Sequence, residues 1–195
     1  MLTHELKARL REEYRARRRA LPDSEKRIRD ERIAHEVRQL SAYQDNDTVF
    51  TYVSLSSEID TTALIEQMLT DGKYVAVPYC VPHTCEMEFY YLTSLHDLRE
   101  GAFGIREPKP NAKNRVDDLT KGLCIVPAFC YDSQGHRLGY GKGYYDRFLT
   151  RFGGQTVGLC YHDFLCHALP CGPFDRAVEC IVTEEGVRNR TEGDR

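Results

Sequence analysis

Hydrophobic and polar positions recur along the chain with two different periods. In the first stretch, from Glu5 to about Leu21, apolar positions are sparse and spaced three to seven residues apart, which is typical of a helix that lies on a surface. Pro22 ends this helix, and Asp23 and Ser24 are candidate N-caps for a second one that extends to about Leu40. The pattern therefore predicts two consecutive helices.

Apolar runs of strand length dominate the rest of the chain. They are rich in β-branched and aromatic residues, which favour strands. They are DTVFTYVSL (47–55), KYVAVPYC (73–80), MEFYYL (87–92), GLCIVPAFCYD (122–132), QTVGLCY (155–161) and ECIVTEEG (179–186). Between them, Asp60 or Thr61 is placed to cap a helix that ends near Thr70, LHDL (95–98) is a short helical turn, GAFGIREPKP (101–110) is a loop, and YYDRFLTRF (144–152) is helical.

Strands that alternate with helices predict an α/β fold. We expect one domain over residues 1–195, with a mostly parallel or mixed central sheet flanked by helices in three layers. Ligands of such folds collect at the carboxyl ends of the strands. Three polar clusters fall there: SSEID (56–60), a glycine-rich loop (137–146) and the pair FD (174–175).

Composition narrows the class of protein. The 195 residues are 41% hydrophobic, which is enough for a core, and they contain no apolar run of membrane-spanning length. The first residues form no apolar signal segment, so we expect a cytoplasmic protein with no membrane partner. The eight cysteines lack CxxC pairs and are expected to be small buried side chains; the spacing of Cys166, His167 and Cys171 fits no common zinc pattern.

Charge is unevenly distributed. The formal net charge is −3, yet residues 1–20 carry seven Lys and Arg against three Glu. One interpretation is a solvated helix with i,i+4 ion pairs, and the other is a face that meets a polyanion, either nucleic acid or the phosphates of a nucleotide. Because the remainder of the chain is net acidic, a continuous nucleic-acid surface is disfavoured.

The segment RLGYGKGYYDRFL (137–149) is the most distinctive in the chain. Three glycines at alternate positions allow positive φ and let a ligand approach backbone N–H groups without meeting a Cβ. Arg137 and Lys142 add positive charge, and Asp146 adds a hard oxygen ligand for Mg²⁺. A tight turn needs no such charges, so the composition favours a phosphate site, although the spacing is neither Walker A nor GxGxxG.

This segment resembles the signature of the 5-formyltetrahydrofolate cyclo-ligase family, also called methenyltetrahydrofolate synthetases. The resemblance extends over most of the chain. Further family motifs occur in the family's order: K-x-x-L-R (7–11), S-x-x-x-E-I-x-T (54–61), G-I-x-E-P (104–108) and Asp175 followed by IVTEEG (181–186). The resemblance implies a Rossmann-like fold and an enzyme that uses ATP and Mg²⁺ to cyclise 5-formyltetrahydrofolate to 5,10-methenyltetrahydrofolate, with release of ADP and phosphate.

The resemblance also implies roles for individual residues. Implied catalytic residues are Arg137, Lys142 and Tyr144, and implied Mg²⁺ ligands are Asp146 and Asp175. Implied substrate-binding residues are Val53, Glu58, Tyr144 and Tyr145. The implied ATP-binding residues are Lys7, Arg11, Arg137, Gly139, Tyr140, Gly141, Lys142, Gly143, Tyr144 and Tyr145.

Other functions are compatible with the same residues. One alternative is a nucleotide-dependent kinase or ligase that acts on another heterocycle, and another is a folate-binding relative without catalysis. A third, less favoured, is a nucleic-acid-binding module that uses the basic first helix. We expect a small-molecule substrate, no nucleic-acid partner, and a monomer or weak homo-oligomer.

Overall fold

The protein is described by a computed structural model that covers residues 3–101 and 104–190. The helices are α1 (Thr3–Ala20), α2 (Asp23–Gln39), α3 (Ser41–Asp45), α4 (Thr62–Thr70) and α5 (Tyr144–Leu149). The strands are β1 (Thr48–Phe50), β2 (Tyr74–Cys80), β3 (Met87–Leu92), β4 (Leu98–Glu100), β5 (Arg106–Pro108), β6 (Leu123–Val126), β7 (Gln155–Leu159), β8 (Cys180–Thr183) and β9 (Gly186–Asn189).

A seven-stranded mixed sheet forms the centre of the fold. Its strand order is β3-β2-β1-β6-β7-β8-β9. The four neighbouring pairs β2-β1, β1-β6, β6-β7 and β7-β8 are parallel. The two edge strands, β3 and β9, are antiparallel to their neighbours. The predicted α/β fold with a mixed sheet flanked by helices is thus confirmed. None of the helices in the described residues is long and apolar enough to cross a membrane.

The inner strands are buried because they lie between helices. All four residues of β6 are buried, and Phe50 at the end of β1 packs against Phe89 on β3 with ring centroids 5.2 Å apart. Phe148 on α5 joins this aromatic cluster, 4.5 Å from Phe89 and 5.2 Å from Phe152. These contacts fix the short helix that follows the glycine loop.

Several predicted elements differ from the structure. Pro22 is the N-cap residue of the second helix. The predicted caps, Asp23 and Ser24, make no cap hydrogen bond because both residues already lie inside the helix. The predicted loop at 101–110 contains β5, which pairs with β4 in a small separate sheet. The predicted first strand is shorter than expected, since only Thr48–Phe50 is regular.

The largest difference concerns the run GLCIVPAFCYD. Its strand stops at Val126 because Pro127, the next residue, has no N–H for a sheet ladder. Residues 129–138 then form a tight hairpin-like turn, in which Phe129 N donates to Leu138 O at 2.8 Å and Leu138 N donates to Cys130 O at 3.0 Å. This turn lies between the strand and the glycine loop and delivers the loop to the carboxyl end of the sheet.

Candidate active site

The glycine loop has the backbone conformation that its composition predicts at two of its three glycines. Gly141 and Gly143 have φ values of 95° and 73°, in the left-handed region that disfavours other residues. A Cβ at Gly141 would lie 3.2 Å from the guanidinium carbon of Arg11. Gly139 has an ordinary φ and open space around it, so its role is not conformational.

Helix α1 supplies cations to this loop. The Nε of Arg11 donates to the carbonyl oxygen of Gly139 at 2.7 Å, although the two residues are 128 positions apart. Burial and the neighbouring Arg15 lower the pKa of Arg11, while Asp175 opposes them. Lys7, one turn earlier on the same helix, donates to Oδ2 of Asp175 at 2.5 Å. The predicted cationic pair from the first helix therefore lies beside the glycine loop and Asp175.

The two predicted metal ligands meet at one short segment. Oδ1 of Asp146 accepts from the backbone N of Arg176 at 3.2 Å, and Asp175 is the adjacent residue. Burial raises the pKa of Asp175, but the Lys7 ammonium and the backbone N–H of Gly172 outweigh it and lower the pKa overall. Both carboxylates thus lie at the same edge although they are far apart in sequence.

Arg137 is a buried arginine that holds this arrangement together. Its Nη2 donates to Oδ1 of Asp146 at 2.5 Å, and its Nη1 donates to the carbonyl oxygen of Arg176 at 2.5 Å. In the structure it therefore orients Asp146 directly. Lys142, in the middle of the loop, is exposed to solvent.

Glu58 is held in a compact loop after β1. The hydroxyl of Ser54 accepts from Thr61 N at 3.1 Å, and the hydroxyl of Thr61 accepts from Ser54 N at 3.1 Å. These reciprocal bonds explain the spacing of the motif S-x-x-x-E-I-x-T, because they close the loop on itself. Inside the loop, Oε2 of Glu58 accepts from Leu55 N at 2.7 Å, and the side chain of Val53 is buried.

Three tyrosines of the glycine loop point in different directions. The hydroxyl of Tyr140 donates to Oε1 of Glu58. This hydrogen bond connects the loop with the side chain that is predicted to bind the folate. The hydroxyl of Tyr144 donates to the carbonyl oxygen of Thr84 at 3.3 Å. The hydroxyl of Tyr145 is buried without a hydrogen-bond partner among the described residues, and burial raises its pKa well above the usual value.

A cavity of about 490 Å³ adjoins Tyr144. Its walls come from the end of β2, from the β4–β5 hairpin and from the ring of Tyr144 itself. Glu107 lines it and accepts from the backbone N of Cys80 at 3.1 Å. Of the candidate site residues, Tyr144 lines this cavity.

Sequence reasoning missed one buried side chain of the site, Arg18. It belongs to a run of three arginines that is typical of a solvated helix face, yet only 7% of it is exposed. A signal was present, since Leu10, Tyr14 and Arg18 are spaced by four residues and so share one face of α1. Tyr14 on that face is also buried.

The chain is similar to known proteins over most of its length. The chain is 29% identical over 177 residues to the 5-formyltetrahydrofolate cyclo-ligase of Escherichia coli (strain K12), covering 89% of this chain and 97% of that protein. It is 26% identical over 187 residues to the mouse protein of the same name, covering 90% and 92%. The NMR structure of 5,10-methenyltetrahydrofolate synthetase from Aquifex aeolicus superposes with a TM-score of 0.83 at 32% identity, covering 97% of this chain and 95% of that one.

A family model also matches nearly the whole chain. The model of the 5-formyltetrahydrofolate cyclo-ligase family matches residues 3–184, which include every candidate site residue described above. The chain therefore belongs to the 5-formyltetrahydrofolate cyclo-ligase family.

Proposed function

We propose that the protein catalyses the ATP- and Mg²⁺-dependent cyclisation of 5-formyltetrahydrofolate to 5,10-methenyltetrahydrofolate, with release of ADP and phosphate. One observation carries the proposal. The cations of α1, the glycine loop and two carboxylates converge at one edge of the sheet, and Tyr140 connects this group with Glu58.

The phosphate end of ATP would lie on the glycine loop. Lys7 and Arg11 supply positive charge from α1, and the loop offers backbone N–H groups with no Cβ at its three glycines. Lys142 is exposed and free to turn toward a phosphoryl group, where it would offset the charge of the transition state. Tyr144 and Tyr145 would border the nucleotide and the folate.

Asp146 and Asp175 would hold Mg²⁺. Both are carboxylates, the ligand type that Mg²⁺ prefers, and each is oriented by a protein hydrogen bond through only one of its oxygens in the contacts above. The other oxygen of each is the one we propose for the metal. When bound, Mg²⁺ would neutralise charge on the phosphates that the loop positions.

The folate would extend from Glu58 toward Tyr144. An ionised carboxylate accepts two parallel hydrogen bonds from the aminopyrimidine edge of a pterin, and Val53 supplies an apolar neighbour. The cavity beside Tyr144, about 490 Å³ in volume, leaves room for the rest of the molecule.

The chemistry needs positioning more than acid–base groups. Transfer of the γ-phosphoryl group of ATP to the formyl oxygen turns a poor leaving group into phosphate. N10 of the folate then attacks the formyl carbon, the N10 proton passes to the phosphate as the C–O bond breaks, hydrogen phosphate leaves and the ring closes. Lys142 and Arg11 would stabilise the transferred charge, while Glu58 would hold the ring so that N10 reaches the carbon.

A turnover assay tests this proposal. Methenyl absorbance and ADP release are followed together with 5-formyltetrahydrofolate, ATP and MgCl₂, and each component is omitted in turn. We expect equal amounts of both products, and only in the complete mixture. ATP binding by calorimetry without turnover would overturn the cyclo-ligase assignment and favour another heterocycle or a non-catalytic relative.

A further inference from the structure

Arg18 is a buried cation with defined partners and no role in the proposal above. Its Nη1 donates to the hydroxyl oxygen of Tyr140 at 3.2 Å, and its Nη2 donates to the carbonyl oxygens of Ala128 and Phe129. The guanidinium also lies over the ring of Phe129, 5.0 Å from its centroid. Arg18 is therefore fixed at the carboxyl end of β6, directly behind the glycine loop.

The hydroxyl of Tyr140 connects Arg18 with Glu58 in a chain of defined polarity. It accepts from Arg18 and donates to Oε1 of Glu58. Burial and the charge of Glu58 raise the pKa of Tyr140, so the hydroxyl keeps the proton that it donates. The ring of Tyr140 lies against Phe129 with centroids 4.6 Å apart, which restricts its rotation.

The hydrogen bonds from Arg18 to Tyr140 and from Tyr140 to Glu58 fix how Glu58 presents its remaining acceptor positions. An ionised carboxylate has about four lone-pair positions, two on each oxygen. The backbone N of Leu55 uses one on Oε2, and the Tyr140 hydroxyl uses one on Oε1. One position remains on each oxygen, which is the number that a pair of parallel N–H donors requires.

We propose that Arg18 is a positioning residue for substrate binding, which acts through the Tyr140 hydroxyl to orient the Glu58 carboxylate toward paired N–H donors. The proposal rests on the assignment of Glu58 to the folate in the proposed function. It adds a residue from α1 to the folate side of the site. A carboxylate whose rotamer is fixed before the substrate arrives loses less conformational entropy on binding.

The test compares Arg18→Met and Tyr140→Phe with a matched control, Arg19→Met. Arg19 is the next residue of α1 and is exposed, so its variant loses the same charge without touching Tyr140. We expect both site variants to raise KM for 5-formyltetrahydrofolate about tenfold, with KM for ATP within about twofold, because they remove partners of Glu58 and leave in place the loop backbone that we propose for ATP. The control should match the wild type in both constants.

The double variant separates positioning from general destabilisation. If Arg18 acts through Tyr140, Arg18→Met in the Tyr140→Phe background should raise KM for the folate no further. Multiplying effects of the two substitutions, an equal rise in KM for ATP, or the same result from Arg19→Met would each overturn the proposal. If Arg18→Met does not fold, Arg18→Lys and Tyr140→Phe provide the same comparison, with the melting temperature as the check on folding.

Binding measurements keep this inference distinguishable from the proposed function. If the wild-type chain binds 5-formyltetrahydrofolate without cyclising it, the proposed reaction fails and the Kd of the folate replaces KM in the same comparison. A weaker Kd in Arg18→Met and Tyr140→Phe, with Arg19→Met unchanged, would still support positioning. A wild-type chain that does not bind this folate at all would overturn both.

Discussion

At the scale of single residues, Lys142 is the side chain whose loss should affect chemistry alone. It is exposed on the glycine loop, so its removal leaves no cavity. We expect Lys142→Ala to lower kcat at least about 100-fold, because it removes charge stabilisation from the transition state. The melting temperature should stay that of the wild type.

The control for this prediction is Lys113→Ala, which removes an exposed lysine from a turn outside the site. Steady-state kinetics and thermal unfolding are measured for the wild type, Lys142→Ala and Lys113→Ala. A normal kcat in Lys142→Ala would show that the lysine has no part in phosphoryl transfer.

Glu58 yields a prediction about binding. In Glu58→Gln one carboxylate oxygen becomes an NH₂ group that donates and cannot accept, so the pterin loses one of its two acceptors and either the Tyr140 hydroxyl or the Leu55 N–H loses its acceptor as well. We expect KM for the folate to rise at least about tenfold while KM for ATP changes by less than about twofold. Glu66→Gln, on the exposed face of α4, is the matched control. Equal losses for both ligands would place Glu58 on the nucleotide side.

At this scale, a binding site could be predicted from the sequence where the residues that form it are close together along the chain. The segment 137–146 predicts a phosphate-binding loop even when the fold is unknown, because it combines three glycines with an arginine, a lysine and an aspartate. Arg18 could not be found in the same way, because its partners Tyr140 and Ala128 are more than 100 positions away. The spacing of Leu10, Tyr14 and Arg18 indicates which of the three consecutive arginines faces inward, but only the folded structure shows what it contacts.

At the scale of elements, the conformation of the glycine loop makes its own prediction. Gly141 has a φ of 95°, and an added Cβ would meet the guanidinium of Arg11 at 3.2 Å. Gly141→Ala should therefore lower the free energy of unfolding by about 1 kcal/mol or more and raise KM for ATP. Gly139→Ala, with open space and an ordinary φ, should change unfolding by less than about 0.5 kcal/mol.

Urea unfolding and ATP titration of the two alanine variants check this expectation. Equal stability of both variants would mean that the loop relaxes freely, and that its glycines serve only the approach of a ligand. A larger loss in Gly139→Ala than in Gly141→Ala would contradict the assigned conformations.

Element boundaries were predictable only where the hydrophobic pattern changes at the boundary. MEFYYL matches β3 residue for residue, because polar residues flank it on both sides. In GLCIVPAFCYD the apolar residues continue past Pro127, so the pattern conceals the end of β6 and the turn at 129–138. The β4–β5 pairing was hidden for the opposite reason, since glycines and prolines surround β5 and obscure its alternation.

At the scale of the whole molecule, one carboxylate joins three helices. Asp71, which follows α4, accepts from Nε and Nη2 of Arg38 at 3.0 and 3.2 Å, from the hydroxyl of Tyr43 at 2.7 Å and from Nε2 of Gln67 at 2.9 Å. Burial raises the pKa of Asp71, but these hydrogen bonds outweigh burial and lower the pKa overall. Its contribution to stability is therefore present above its unfolded pKa of about 3.9 and lost as the pH falls through the lower folded value.

We expect Asp71→Asn to be less stable than the wild type at pH 7, by about 1 kcal/mol at most because its ion pair with Arg38 is partly exposed and therefore screened by solvent. The difference should shrink as the pH falls below about 3.9, where the carboxylate of the unfolded wild type begins to take up a proton that the folded carboxylate binds less readily. Urea unfolding at pH 7, 5 and 3 measures it, with Asp45→Asn, at an exposed aspartate that ends α3, as the control. A difference that is independent of pH would mean that shape, and not charge, holds the three helices together.

The general architecture could be predicted because strands and helices alternate and the inner strands are apolar. The assembly of the site could not, since its partners are joined by long-range contacts that no local pattern encodes. Lys7 and Asp175 belong to the first helix and to the loop before β8, and Arg137 reaches Asp146 and Arg176 from a third segment. The resemblance to the family supplied these residues as a set, and the structure brings them to one edge of the sheet.

The contact between Lys7 and Asp175 also has a consequence for biosynthesis. The two residues are 168 positions apart, so one wall of the proposed nucleotide site is made early in translation and the other much later. With elongation at about 5–20 residues per second, many seconds separate the two walls. A nascent chain that has not reached Asp175 therefore lacks an assembled site, and the proposed ATP-dependent activity should arise only after this segment and the strands that follow it, β8 and β9, have been made.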